Sequence, residues 1–152
     1  MHTPNHPDSD AAALLAQLDL TRLPQHVAII TDGNGRWARK HNLHRALGHS
    51  AGYESLRVIV DLCSRLGIGY LTCYSFSSEN WRRSDEEVSA LMSLIEHAAA
   101  AEVENLRNGN VRFNVIGRLE ALPQSLRDEL SRDMELTRTN TGLTLTLAIN
   151  YG

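Results

Sequence analysis

The sequence is poor in cysteine, lysine and aromatic residues, and each shortage excludes something. Two cysteines in 152 residues, Cys63 and Cys73, cannot build a disulfide framework. Both sit in apolar surroundings, which predicts buried free thiols and a reducing, cytoplasmic setting. Long apolar runs are missing. Stretches such as Val27-Ala28-Ile29-Ile30 are far short of the ~20 residues that a membrane span needs. The opening MHTPNHPDSD lacks the basic and apolar regions of a secretory signal. A surplus of positive charge is also missing. Fifteen basic and eighteen acidic residues give a net charge of −3, which argues against nucleic acid as a partner. What remains is ordinary, with 42% apolar and 22% charged residues, and suits one globular domain.

The pattern along the chain alternates. Residues 1–23 read as a polar tail with a short helix over Asp10–Leu20, where Leu14, Leu15 and Leu18 fall at helical spacing. Residues 24–152 hold the alternating part. HVAIIT (26–31) is an unbroken apolar strand of the kind buried on both faces. Residues 50–66 form a helix with Leu56, Ile59, Val60, Cys63 and Leu66 inward and Gly67 as its stop. IGYLTCYSF (68–76) is a second strand. Ser84-Asp85-Glu86-Glu87 opens a long helix that Gly109 ends. VRFNVIG (111–117), a helix from Pro123 to about Arg138, and LTLTLAINYG (143–152) complete the chain. This predicts an α/β fold, a mainly parallel sheet with helices on both faces. In such sheets ligands bind beyond the carboxyl ends of the strands. The polar segments DGNGRW, SSENWRR, Gly117-Arg118 and Asn150-Tyr151-Gly152 all follow strands, so they gather on one rim.

Asp32 directly follows a strand and precedes Gly33-Asn34-Gly35-Arg36. Glycines let a ligand approach the backbone, whose N–H groups can nest an anion, and Arg36 can fork onto phosphate oxygens. A carboxylate at the mouth of an anion cradle is self-defeating unless a cation lies between. Mg²⁺ bridging Asp32 and a diphosphate resolves the conflict, since Mg²⁺ commonly takes one or two carboxylates plus substrate phosphates. Two other readings stay open. One is a plain Asp-Gly turn. The other is a dinucleotide fingerprint, which Gly33-x-Gly35-x-x-Ala38 formally fits. Between Asp32 and His49 lie Arg36, Arg39, Lys40, Arg45, His41, His44 and His49 against one acid, a local positive patch in an acidic chain.

The second dense segment is Phe76-Ser77-Ser78-Glu79-Asn80-Trp81-Arg82-Arg83. With Trp37 and Tyr74 it places four of the eight aromatic residues at the rim. Aromatic faces beside cations suit an apolar ligand with a charged head. Ser77, Ser78 and Asn80 can orient a substrate, and Arg83 is a second phosphate contact.

His26-Val-Ala-Ile-Ile-Thr-Asp-Gly-Asn-Gly-Arg-Trp-Ala38, Gly48-His-Ser-Ala-Gly52, Tyr74-Ser-Phe-Ser-Ser-Glu-Asn-Trp81 and Asn150-Tyr-Gly152 resemble the cis-prenyltransferases. Within them the likeness is greatest to the undecaprenyl diphosphate synthase type. The resemblance makes residues 24–152 the amino-terminal catalytic portion. The resemblance implies Mg²⁺-dependent condensation of isopentenyl diphosphate onto an allylic diphosphate such as farnesyl diphosphate. It implies that Asp32 holds the metal, and that Gly33, Asn34, Gly35 and Arg36 cradle the allylic diphosphate with Arg45 and His49. It puts Trp37 beside the allylic substrate and makes Asn80 the candidate proton acceptor. Ser77, Ser78, Glu79, Trp81 and Arg83 would line the same region. The hydrocarbon would run between the sheet and the helices at 50–66 and 85–107. A homodimer and peripheral contact with a membrane through the lipid product are further expectations. Family members continue past Asn150-Tyr-Gly152. The resemblance therefore implies that a later arginine motif, a second metal carboxylate and much of the dimer surface fall outside this chain. An alternative is a remnant that binds allylic diphosphate without turnover.

Overall fold

A computed structural model describes residues 7–152. The part of the polar tail at residues 1–6 lies outside them. Four strands form one sheet, β1 His26–Ile30, β2 Tyr70–Ser77, β3 Arg112–Ile116 and β4 Thr144–Tyr151, in the order β1-β2-β4-β3. All three pairings are parallel, with Val27 opposite Leu71, Leu71 opposite Leu145, and Phe113 opposite Leu145. The α/β expectation of a parallel sheet with helices is realised. Because every strand runs the same way, the segments that follow them share one rim.

The helices are α1 Pro7–Leu15, α2 Asn34–Lys40, α3 Arg45–Arg65, α4 Asp85–Asn108 and α5 Gln124–Leu136. α1 stops five residues before the expected end. The Asp19 carboxylate accepts from the Thr21 amide at 3.0 Å and the Thr21 hydroxyl at 2.6 Å. That local turn competes with helix. Leu14, Leu18 and Leu20 are exposed, so no packing extends the helix. α3 instead starts five residues earlier than expected. His44 caps it by accepting from the Ala46 amide at 3.3 Å, and the helix tolerates Gly48 because α2 packs directly against it. α4 begins as read, with Ser84 Oγ accepting from the Glu87 amide at 3.2 Å.

The core joins Leu71, Cys73 and Phe76 of β2, Phe113 and Val115 of β3, and Leu145 and Ile149 of β4 to residues of α4 and α5. Both thiols are buried and free as expected, and burial pushes Cys73 up to about 11. The outer edge of β3 is met by the end of α5, where the Phe113 amide donates to Thr137 Oγ1 at 2.9 Å. The expectation that β1 is buried on both faces is corrected. β1 is an edge strand, and His26, Ala28 and Ile30 alternate as exposed positions with half-buried Val27 and Ile29. Tyr70, Arg112 and Ile116 are exposed in the same alternation, so helix cover lies mainly on one face of the sheet.

Candidate active site

The first loop turns at Gly33, whose φ of 94° is costly for any other residue. Asp32 Oδ1 accepts from the Gly33 amide at 2.6 Å, and Oδ2 pairs with Arg36 Nη2 at 3.0 Å. The Asp32 side chain is 75% exposed, so its carboxylate stands at the mouth of the loop. α2 lies against α3 because Gly48 and Gly52, one turn apart, leave a notch for Asn34. A Cβ on Gly48 would collide with the Asn34 carbonyl, and one on Gly52 would come within 2.5 Å of its side-chain amide. Arg45 packs over Gly35, where a Cβ would meet its Nε at 2.8 Å.

A polar cavity of about 130 Å³ joins Asp32, Gly33, Asn34, Gly35 and Arg36 of the first loop to Arg45 and His49 of α3 and to Asn80 and Arg83 of the second. These are nine of the residues expected from the sequence. Arg39 also lines the cavity. The cavity abuts an apolar groove of about 450 Å³ between the sheet and helices α3 and α4. The two share Thr31, Asn34, His49, Ser75 and Leu91 as lining. Leu56, Val60, Ile95, Ala98, Leu145 and Leu147 line the groove further on. An apolar groove therefore lies between the sheet and the two helices named from the sequence. Ala98 and Ala99 serve it as small wall residues as well as helix formers.

Five expected site residues do not line the polar cavity. Trp37 stacks on His41 with ring centroids 4.3 Å apart. Trp81 packs edge-on against Phe76 and donates its indole N–H to Asn150 Oδ1 at 2.8 Å. Ser78 Oγ donates to the Gly152 carbonyl at 3.2 Å. Glu79 is exposed, and the Ser77 amide donates to Asn80 Oδ1 at 2.9 Å within a 3-10 turn over Ser78–Arg82. Much of the second loop therefore shapes the rim. Asn80 belongs to both groups, lining the cavity while its carbonyl oxygen holds the turn.

Sequence reasoning missed Glu87. Its Oε2 lies 3.2 Å from Arg45 Nη1, and its Oε1 lies 2.8 Å from Arg83 Nη1 and 3.3 Å from His49 Nε2. One carboxylate thus gathers three groups that line the polar cavity. Burial pushes the Glu87 carboxyl up. The His49 hydrogen bond and the charges of Arg45 and Arg83 outweigh that and hold it below its ordinary 4.5. Asn150, read from the sequence only as part of a rim segment, also organises the second loop. It is buried with φ of 52°, and its amide ties Trp81 to the Arg118 carbonyl at 2.8 Å.

Asp32 is a single exposed carboxylate, and among the described residues no three His, Cys, Asp or Glu side chains converge on one point. That donor set fits a cation completed by phosphate and water oxygens rather than an all-protein cage. No helix of the described residues is long and apolar enough to cross a membrane. The dinucleotide reading loses ground, since the exposed Asp32 carboxylate at the mouth of the loop would repel a pyrophosphate bound there without a metal.

Comparison with known proteins bears on the same residues. Residues 30–152 match the model of the undecaprenyl diphosphate synthase family of prenyltransferases. An isoprenyl transferase of Clostridium tetani is 51% identical over 136 residues, covering 90% of this chain and 53% of the relative. A ditrans,polycis-undecaprenyl-diphosphate synthase of Haemophilus influenzae, specific for (2E,6E)-farnesyl diphosphate, is 44% identical over 91% of this chain and 58% of its own length. Lavandulyl diphosphate synthase from Lavandula x intermedia, solved with dimethylallyl diphosphate, superposes with a TM-score of 0.81 at 34% identity. That superposition covers 85% of this chain and 56% of the other. The chain spans about half the length of the curated relatives it matches. With the family model covering the Asp32 loop and the helix after it, the groove helices and the second loop together, the chain belongs to the undecaprenyl diphosphate synthase family of prenyltransferases.

Proposed function

We propose that the polar cavity holds the diphosphate of an allylic prenyl diphosphate, that the adjoining groove holds its hydrocarbon, and that the chain takes part in joining isopentenyl diphosphate to it. One observation carries this reading. A small pocket rich in arginine and a larger apolar groove share a wall, so one continuous site matches a ligand with an anionic head and an apolar tail. The farnesyl diphosphate specificity of the Haemophilus influenzae relative and the dimethylallyl diphosphate bound to the lavandulyl synthase support it.

Within this reading Arg36, Arg45 and His49 donate to phosphate oxygens, and the Gly33–Gly35 backbone admits them closely. Asp32 and the phosphate oxygens would hold Mg²⁺, which when bound offsets the charge of the departing diphosphate. Transfer forms a carbon–carbon bond from the isopentenyl group to the allylic carbon that loses diphosphate, and then releases one proton. Asn80 is the proposed acceptor of that proton. Its Oδ1 already carries the Ser77 amide, so acceptance requires that this hydrogen bond be shared or released. Arg83 belongs to the proposed isopentenyl side of the pocket. Action in the cytoplasm, pairing with a second copy and peripheral contact with a membrane form part of the same proposal.

Titration calorimetry with farnesyl diphosphate, with and without Mg²⁺, tests it. Binding should be Mg²⁺-dependent and weaken at least tenfold in Asp32→Asn. An absence of heat in the wild-type chain would overturn the reading. A second reading is binding of the allylic diphosphate without turnover. Incorporation of labelled isopentenyl diphosphate separates the two.

A further inference from the structure

Three polar side chains cross the seam between α3 and α4 over an otherwise apolar groove. Tyr53 Oη donates to Glu102 Oε1 at 2.8 Å, and Arg57 Nε lies 2.9 Å from the same oxygen. The other carboxylate oxygen accepts from Asn105 Nδ2 at 3.1 Å. Arg57 also holds Glu54 at 2.9 Å, so its guanidinium is braced from its own helix. Tyr53, Arg57, Glu102 and Asn105 all line the groove. Burial and the Glu102 carboxylate push the Tyr53 phenol well above its ordinary value, so it stays a donor at neutral pH. Burial pushes Glu102 up, but its hydrogen bonds from Asn105 and Tyr53 and the Arg57 charge hold it ionised below its ordinary value.

Stability alone does not account for this cluster. Desolvation offsets much of the attraction in a partly buried pair, and apolar side chains would join two helices as well. Its position is more telling. Tyr53 and Arg57 stand one and two turns beyond His49 on α3, about 6 and 12 Å along the axis. Ala98 and Ala99, just before Glu102 on α4, leave room beneath the seam. A short chain anchored beside His49 stays short of the far end of the cluster. A longer one must pass under it.

We propose that Tyr53, Arg57 and Glu102 form a latch across the α3–α4 seam that confines the hydrocarbon of a prenyl diphosphate and sets how slowly longer chains escape. The proposal rests on the head-group reading above and adds residues that select for the tail. Sideways exit of a long chain requires the half-buried Glu102 carboxylate to part from both partners. Exit of a short chain through the rim does not.

Stopped-flow tryptophan fluorescence, with Trp37 and Trp81 at the rim as reporters, measures release of dimethylallyl and farnesyl diphosphate from the wild-type chain, Tyr53→Phe and Glu102→Gln. Tyr53→Phe keeps the ring and its packing, so it guards against a folding failure in the charge variant. Farnesyl diphosphate should leave both variants at least tenfold faster than wild type, while dimethylallyl release changes less than twofold. Equal farnesyl-to-dimethylallyl release ratios in all three proteins would overturn the latch and leave the head-group site standing. Failure of wild type to hold either ligand would overturn the head-group reading, and the latch with it.

Discussion

Glu87 Oε1 lies 2.8 Å from Arg83 Nη1, one turn back on the same stretch of chain, and its second oxygen reaches Arg45 at 3.2 Å. With His49 this makes the carboxylate, 14% exposed, the point at which both sides of the polar cavity are tied together. Glu87→Gln keeps the shape and removes the charge. It should cost about 1–2 kcal/mol at neutral pH, between the values for exposed and fully buried pairs. The pH dependence has a definite sign. The folded-state value lies below 4.5, so the stabilisation is present above that value and disappears as pH falls through the folded-state value. Urea midpoints of wild type and Glu87→Gln should differ at pH 7 and converge as pH falls below the folded-state value of Glu87. A constant gap across that range would show that charge is not the cause.

Gly48 and Gly52 separate two kinds of crowding. At Gly48 an added Cβ strikes backbone, the Asn34 carbonyl, which α2 cannot easily yield. At Gly52 it strikes the Asn34 side chain, which can rotate away. Gly48→Ala should therefore lower stability by about 1–3 kcal/mol, as overpacking does. Gly52→Ala should cost less stability but displace the Asn34 amide from the cradle. Calorimetric titration with farnesyl diphosphate should show weakened binding in Gly52→Ala despite a melting temperature near wild type. The reverse ranking of the two variants in stability would contradict the notch.

The sequence made the rim legible because strand-loop alternation and parallel pairing are both local rules, and Asp32, Arg36, Arg45 and His49 sit within one such unit. It could not show which strand lies at an edge. HVAII reads the same whether or not a neighbour covers it, and the order β1-β2-β4-β3 depends on contacts between distant segments. Glu87 was hidden for a similar reason. Arg83 and Glu87 at helical spacing gave a local signal, but Arg45 and His49 come from α3. The ends of α1 and α3 went astray where a local detail outweighed periodicity, a turn at Asp19 and a tolerated glycine at Gly48.

Asp133 of α5 is 1% exposed, and its Oδ1 has no hydrogen-bond partner. Burial, with the Glu129 carboxylate beside it, pushes it up to about 7 from 3.8. Here the sign is opposite to that of Glu87. Between those values the unfolded chain gives up the proton and the folded one keeps it, so stability falls as pH rises and the full penalty is present above 7. Asp133→Asn should flatten this slope and raise stability at pH 8 by roughly 2 kcal/mol, since it removes a poorly solvated charge. Chemical denaturation of both proteins from pH 4 to 8 measures the slope. An unchanged slope in the variant would assign it to another group.

Ile30 is 74% exposed at the end of β1, beside an unpaired strand edge. An apolar side chain on an open edge promotes pairing with another chain, whereas a lysine there opposes it. Ile30 belongs to the exposed alternation of β1, so replacing it empties no core position. Ile30→Lys should leave the melting temperature within about the ±0.5 kcal/mol equivalent of a surface change. It should also reduce concentration-dependent self-association in sedimentation velocity. If the variant associates as strongly as wild type, the open edge of β1 is not the surface through which copies meet.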